Sequence, residues 1–110
     1  MNKMTDTEEI TKSLVEFRDQ RQWSKFHNPK DLALALSIEA AELLEAFLWK
    51  DYKEVKVEKI KEELADVFAY AFLLAENYDL DVKQIVLSKI KLNGLKYPVE
   101  SNQGIVRKSI

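Results

Sequence analysis

Two acidic pairs, Glu39-x-x-Glu42 and Glu63-x-x-Asp66, stand in this chain with 20 residues between them. A spacing of three brings both carboxylates of a pair to neighbouring positions on one side of a helix. With Glu39 at zero on a wheel of about 100° per residue, Leu32, Leu36 and Leu43 fall within about 60° on one side, and Ala35 and Ala46 on the other. Glu63 is centred in the same way among Ile60, Val67, Tyr70 and Leu74, while Glu42 and Asp66 ride on the flanks. An unpaired carboxylate in an apolar interior costs several kcal/mol, so such groups take up a proton, a cationic partner or a metal. Four of them offering only oxygen donors suit a hard divalent cation, Mg²⁺ or Mn²⁺. One pair of this kind is ordinarily a solvated helix edge; two pairs, each inside its own apolar stripe, point to a site. Glu45, Glu62 and Glu76 fall off those stripes and are assigned to solvent.

Composition excludes most other chemistry. The chain has 110 residues, 46% of them hydrophobic and 33% charged, with no Cys, one His and two Gly. The absence of Cys removes disulfides, thiolate metal sites and cysteine nucleophiles, and two glycines argue against a Gly-rich phosphate loop. Di-iron bundles add a Glu-x-x-His pair on each of two helices, and the lone His27 is not in such a pair. With 17 Lys and Arg against 19 Asp and Glu, the net charge of −2 gives no electrostatic reason to bind a nucleic-acid polymer or an anionic membrane. Met1 to Ile10 holds no apolar core of a signal peptide, and the longest uncharged apolar run, Val67 to Ala75, is far short of the ~20 residues that span a bilayer. The expectation is a soluble, cytoplasmic protein with one domain.

The elements that must carry the carboxylates follow from caps and periodicity. Thr5-x-x-Glu8 has the form of a capping box, with Ile10, Leu14 and Phe17 at helical spacing, and predicts a first helix from Asp6 to Arg21. Asn28-Pro29 supplies an N-cap and a proline at the first helical position of a second helix that runs to Trp49. A short charged connection over Asp51 to Lys56 leads to a third helix, Val55 to Asn77. Asp79 or Asp81 caps a fourth, which stops at Asn93-Gly94 with Pro98 close behind. Residues 1–98 form the domain and 99–110 a loose tail. The fold class is therefore all-α, an antiparallel four-helix bundle, and the second helix, apolar on more than one face, places a subunit interface on it.

Lys89 shares a face of the fourth helix with Val82, Val86 and Asn93, so its ammonium can point toward the bundle. A lysine reaching past a metal cluster suits a polyphosphate, whose charge spans several positive centres. Trp23, Phe26 and His27 gather in the loop after the first helix, Trp49 ends the second, and Tyr70 sits about two turns beyond Glu63. Flat rings at the mouth of such a site can sandwich a nucleobase, although loop tryptophans that cap a bundle are equally common.

The spaced acidic motifs, together with FRDQRQWSKFHNPKDLALAL, Phe47-Leu48-Trp49-Lys50, EELADVFAY and SKIKLNGLKYP, resemble the MazG-like all-α NTP pyrophosphohydrolase superfamily over about Phe17 to Pro98, and within it the dCTP pyrophosphatase branch. The resemblance implies Mg²⁺-dependent hydrolysis of a nucleoside triphosphate, dCTP or a modified dCTP, to the monophosphate and pyrophosphate. It implies that Glu39, Glu42, Glu63 and Asp66 are the metal ligands, with Glu39 also the candidate to orient or deprotonate water. Trp23, Lys25, His27, Trp49 and Tyr70 would line the nucleotide pocket, and Lys89 and Asn93 would approach the phosphates. It further implies a homodimer or a dimer of dimers with pockets built across the interface. Leu14 departs from the pattern, since some relatives have there a histidine that touches the substrate. The alternatives are a pyrophosphohydrolase for dUTP, phosphoribosyl-ATP or damaged triphosphates at large, and a non-catalytic helical interaction module.

Overall fold

A computed structural model describes residues 3–104, and all regular structure among them is helical. Helix α1, Asp6–Gln20, starts where the capping box places it: Thr5 Oγ1 accepts from the Glu8 amide and bonds the Glu8 carboxyl at 2.9 Å. Helix α2 is Pro29–Glu45, with the Asn28 side chain accepting from the Asp31 amide. Helix α3, Val57–Asn77, is the longest at 21 residues. Helix α4 is Val82–Lys96, and of the two aspartates available Asp81 is its cap, accepting from the Gln84 amide.

Several boundaries differ from those expected; α1 ends at Gln20 rather than Arg21 and α3 begins at Val57 rather than Val55. Helix α2 ends at Glu45, four residues before Trp49, because the chain tightens into turns over 46–50 and Trp49 adopts φ +63°, in the left-handed region closed to a continuing helix. The connection then holds a 3₁₀ turn, Tyr52–Glu54, in which the Asp51 carboxylate accepts from the Lys53 amide. Helix α4 runs through Asn93-Gly94 and stops at Lys96, where the approach to Pro98 pushes the preceding residue out of helical conformation. The stretch read as a loose tail begins with one helical turn, α5, Val99–Asn102, and its residues 105–110 lie outside those described.

The chain divides into two compact units, one ending at Asp79 and the other beginning at Leu80. In the first, α3 is the central element, packed most extensively by α2 and also by α1. His27, just before α2, meets Tyr70 in the second half of α3, whereas Ala46, just past the end of α2, shares a groove with Lys59 near the start of α3. The two helices therefore run antiparallel, and residues at the middle of one face the middle of the other. Leu32, Ala46, Phe72, Leu73 and Ala75 form the buried apolar core, and among the described residues Leu32 alone of the large side chains is fully enclosed. Leu36, Leu43, Ile60, Val67 and Leu74 extend it as half-buried positions, so the stripes read on the wheels are the faces that pack. The other side of α2, with Leu34, Ile38 and Leu44, is exposed in the single chain. The second unit contains α4 and α5; Val86, Leu87, Ile90 and Leu95 are exposed on α4.

Candidate metal centre

Helix α2 contributes Glu39 and α3 contributes Glu63 and Asp66, and one carboxylate oxygen of each lies within 4.8 Å of the other two. Glu63 is only 9% exposed, the one buried charged residue among those described; Glu39 is half-buried and Asp66 exposed. Glu42, the fourth predicted ligand, is exposed on the next turn of α2 and is not among the three carboxylates brought together, although it acts on the Glu39 carboxyl. Burial is the larger cause, and with Glu42, Asp66 and Glu63 it pushes the Glu39 carboxyl up to about 7.

The donor set fits a divalent cation. Glu39 Oε2 and Glu63 Oε2 are buried with no hydrogen-bond partner among the described residues. Orphaned anionic oxygens of this kind are costly unless a cation meets them. The other oxygen of Glu63 accepts from Lys59 Nζ at 2.8 Å, one turn earlier on α3. All three carboxylates supply hard oxygen donors, which suits Mg²⁺ or Mn²⁺ better than a thiophilic metal.

Beside the carboxylates lies an aromatic cavity of about 260 Å³ lined by Leu14, Phe17, Arg18, Trp23, His27 and Tyr70, with Asp66 shared between cavity and cluster. The loop after α1 builds one wall: Trp23 stands edge-on to Phe17 at 5.8 Å, and the Arg21 guanidinium covers the other ring at 3.5 Å. His27 and Tyr70 meet edge to face at 6.4 Å. Burial lowers the pKa of His27, and the nearby Arg18 charge lowers it further, so the ring is neutral at pH 7. Burial raises the pKa of the Tyr70 hydroxyl, and the charges of Glu39, Asp66 and Glu42 raise it further.

Three of the predicted pocket residues, Trp23, His27 and Tyr70, are thus brought together. Lys25 is not among them: it is exposed, with its ammonium 5.3 Å from the Phe26 ring. Trp49 is fully exposed and packs on nothing in the bundle, which removes the reading of it as a cap on the helices of its own chain. Lys89 and Asn93 belong to α4 in the second unit, where Lys89 is exposed and Asn93 half-buried. Glu45 and Glu62 are exposed as expected, but Glu76 is half-buried and ion-paired to Arg18 rather than free in solvent. Phe17 and Arg18 are cavity residues that the wheel treated as ordinary helix positions. The available signal was an arginine one turn from Leu14 on the apolar face of α1.

Three comparisons bear on this arrangement. The family model described as MazG-like matches residues 34–109. Mouse (Mus musculus) dCTP pyrophosphatase 1 is 37% identical over 105 residues, 88% of this chain and 62% of its own length. The human (Homo sapiens) dCTP pyrophosphatase 1 is 36% identical over 109 residues, covering 92% and 64%. The chain therefore spans less than two thirds of the length of these curated relatives. A pyrophosphatase from Archaeoglobus fulgidus superposes with a TM-score of 0.82 at 38% identity, over 89% of this chain and 97% of that one. The two acidic motifs lie inside the matched residues 34–109, and the chain belongs to the MazG-like family.

Proposed function

We propose that this protein hydrolyses a (deoxy)nucleoside triphosphate, dCTP or a modified dCTP, to the monophosphate and pyrophosphate. The observation that carries the reading is the convergence of Glu39, Glu63 and Asp66 beside an aromatic cavity that shares Asp66 with them. Names of relatives support the choice of cytosine, since two of them are dCTP pyrophosphatases.

In this reading Glu39, Glu63, Asp66 and the adjacent Glu42 hold Mg²⁺ or Mn²⁺. Bound there, the ion supplies charge neutralisation for the phosphates and a lowered pKa for attacking water. Trp23, His27 and Tyr70 hold the base by ring contact, with His27 neutral and thus free of charge repulsion from Arg18. Glu39 orients the water and takes its proton as oxygen attacks the α-phosphorus and the bond to the β-phosphate oxygen breaks. Lys89 and Asn93 approach the phosphates. Two copies pair through the exposed face of α2, as a homodimer or a dimer of dimers, which covers Leu34, Ile38 and Leu44 and gives the exposed Trp49 ring a pocket to enter.

A panel of deoxynucleoside and ribonucleoside triphosphates with Mg²⁺, read as pyrophosphate released, tests the reading. Preferential turnover of dCTP supports it; preference for dUTP or broad turnover keeps the chemistry and replaces the substrate. No release from any triphosphate would leave the helical interaction module.

A further inference from the structure

Lys59 Nζ stands 2.8 Å from Glu63 Oε1, so the one buried charged residue among those described already meets a cation of its own chain. We propose that Lys59 is the counter-ion of Glu63 in the metal-free protein and gives up this carboxylate when a divalent cation binds, so that the chain carries its own competitor for the metal. The proposal rests on the metal-binding role given above to Glu39, Glu63 and Asp66, and it concerns a residue outside both the acidic motifs and the aromatic cavity.

Position comes first. Lys59 and Glu63 are four residues apart on α3, a spacing at which side chains meet along a helix. The lysine approaches from a groove that Glu42 and Glu63 line with it, and Glu62 and Glu42 also attract its charge. Neither Glu39 nor Asp66 borders that groove, so the ammonium stands on the Glu42 side of Glu63, away from the point where the three carboxylates converge. Its neutralisation of the cluster is incomplete: Oε2 of Glu63 and Oε2 of Glu39 stay buried with no hydrogen-bond partner among the described residues. One ammonium thus answers one carboxylate oxygen and leaves the rest to a cation of higher charge.

Exchange is easy for the lysine and closed to its partner. The Lys59 side chain is 54% exposed against 11% for Glu63. An ammonium that keeps water over half its surface loses little when it lets go, and exposed ion pairs contribute little to stability. A divalent ion on the same carboxyl group lies a few ångströms from that ammonium, where like charges repel. Binding of the ion therefore drives Lys59 toward solvent, and parting the pair subtracts from metal affinity. A lysine that merely oriented Glu63 for the metal would act with the opposite sign, since loss of such an outer partner weakens metal binding by about 10- to 100-fold.

Calorimetric titration of the full chain with Mg²⁺ and, separately, with Mn²⁺, alongside thermal melts in chelator, tests the proposal. Lys59→Met and Lys59→Gln should each bind either ion about threefold or more tightly than wild type, and their cooperative melts in chelator should show the fold kept. Lys59→Arg, which retains charge and reach, should stay near wild type. Lys61→Met removes the same charge from an exposed position two residues along α3 and should change the affinity less than Lys59→Met. Unchanged or weaker metal binding in the two uncharged Lys59 variants overturns the proposal and leaves the metal centre standing, the weaker result making Lys59 a positioning residue for Glu63. An equal gain in Lys61→Met reduces the effect to net charge and overturns it as well. A wild-type chain that takes up neither ion and shows no metal-dependent rise in melting temperature overturns the metal centre along with it.

Discussion

Arg18 and Glu76 stand 58 residues apart in the chain and meet at 3.3 Å, Nη1 to Oε2, joining the last turn of α1 to the last turn of α3. The guanidinium is 12% exposed and also bonds Asp19 at 2.9 Å, so it is held from two directions on the rim of the aromatic cavity. Helix α1 has no buried residue of its own, and this pair is the polar tie that fixes its end. Glu76→Ala should cost about 1 kcal/mol, the upper range for a partly exposed pair, and lower the melting temperature by about 4–8 °C. It should also weaken nucleoside monophosphate binding by loosening the wall that holds Phe17 and Trp23. A melt unchanged from wild type would show that α1 is held by its apolar contacts alone.

Glutamine in place of each acidic residue separates ligands from bystanders. Glu63→Gln should reduce turnover on the order of a hundredfold or more, since even residues supporting a metal ligand are worth about 10- to 100-fold. Its metal-free fold should be intact or more stable, because one like charge has left the cluster. Mg²⁺ should raise the wild-type melting temperature by binding the native state. Glu42→Gln should diminish that increase and Glu45→Gln should leave it alone. Equal metal responses in the Glu42 and Glu45 variants would remove Glu42 from the site.

The sign of the pH dependence in chelator follows from Glu39. Its carboxyl is raised from 4.5 to about 7, chiefly by burial and then by Glu42, so the folded chain holds the proton more tightly than the unfolded chain. That contribution to stability is complete below the unfolded pKa of about 4.5 and is lost as pH rises through about 7. Metal-free protein should therefore melt at a higher temperature near pH 5.5 than near pH 8, and Glu39→Gln should flatten the difference. Thermal melts across that range check it; an equal slope in the variant would assign the effect to another group.

Base and phosphate should be separable by ligand. Trp23→Ala should weaken dCMP by the worth of one stacked ring, about 1 to 3 kcal/mol, and spare inorganic pyrophosphate. Trp49→Ala should show the same split with no loss of thermal stability in a monomeric form, since the ring touches nothing in its own bundle. Lys89→Ala should do the reverse. Calorimetry with the two ligands decides, and parallel losses in the Trp49 variant would remove it from the pocket.

How much of this could be read in advance depended on whether the information was local. Glu39 and Glu63 were legible because a carboxylate at the centre of an apolar stripe is visible in any helical wheel, and Asp66 followed from the spacing. The end of α2 was not: Ala46-Phe47-Leu48-Trp49 continues the apolar pattern without Gly or Pro, and the break is made by a backbone angle that periodicity does not encode. Asn93-Gly94 misled in the opposite sense, since one glycine inside an exposed helix costs only about 1 kcal/mol and does not oblige it to stop. Glu76 looked solvated because its partner, Arg18, lies on another helix. Lys59 was overlooked although it stands at i−4 to Glu63, a spacing that forms ion pairs on any helix.

Trp49 occupies a backbone conformation, φ +63°, that suits glycine or asparagine and is unfavourable for a bulky side chain. Glycine at that position relaxes the main chain and removes an exposed ring from water in a single step. A laboratory lineage of this protein selected for heat resistance, with no demand on catalysis, would thus drift toward Trp49→Gly. On the role proposed for Trp49, its survivors would be sturdier and less able to hold a base, and the strained turn after α2 would be where thermal hardening and substrate recognition pull the sequence in opposite directions.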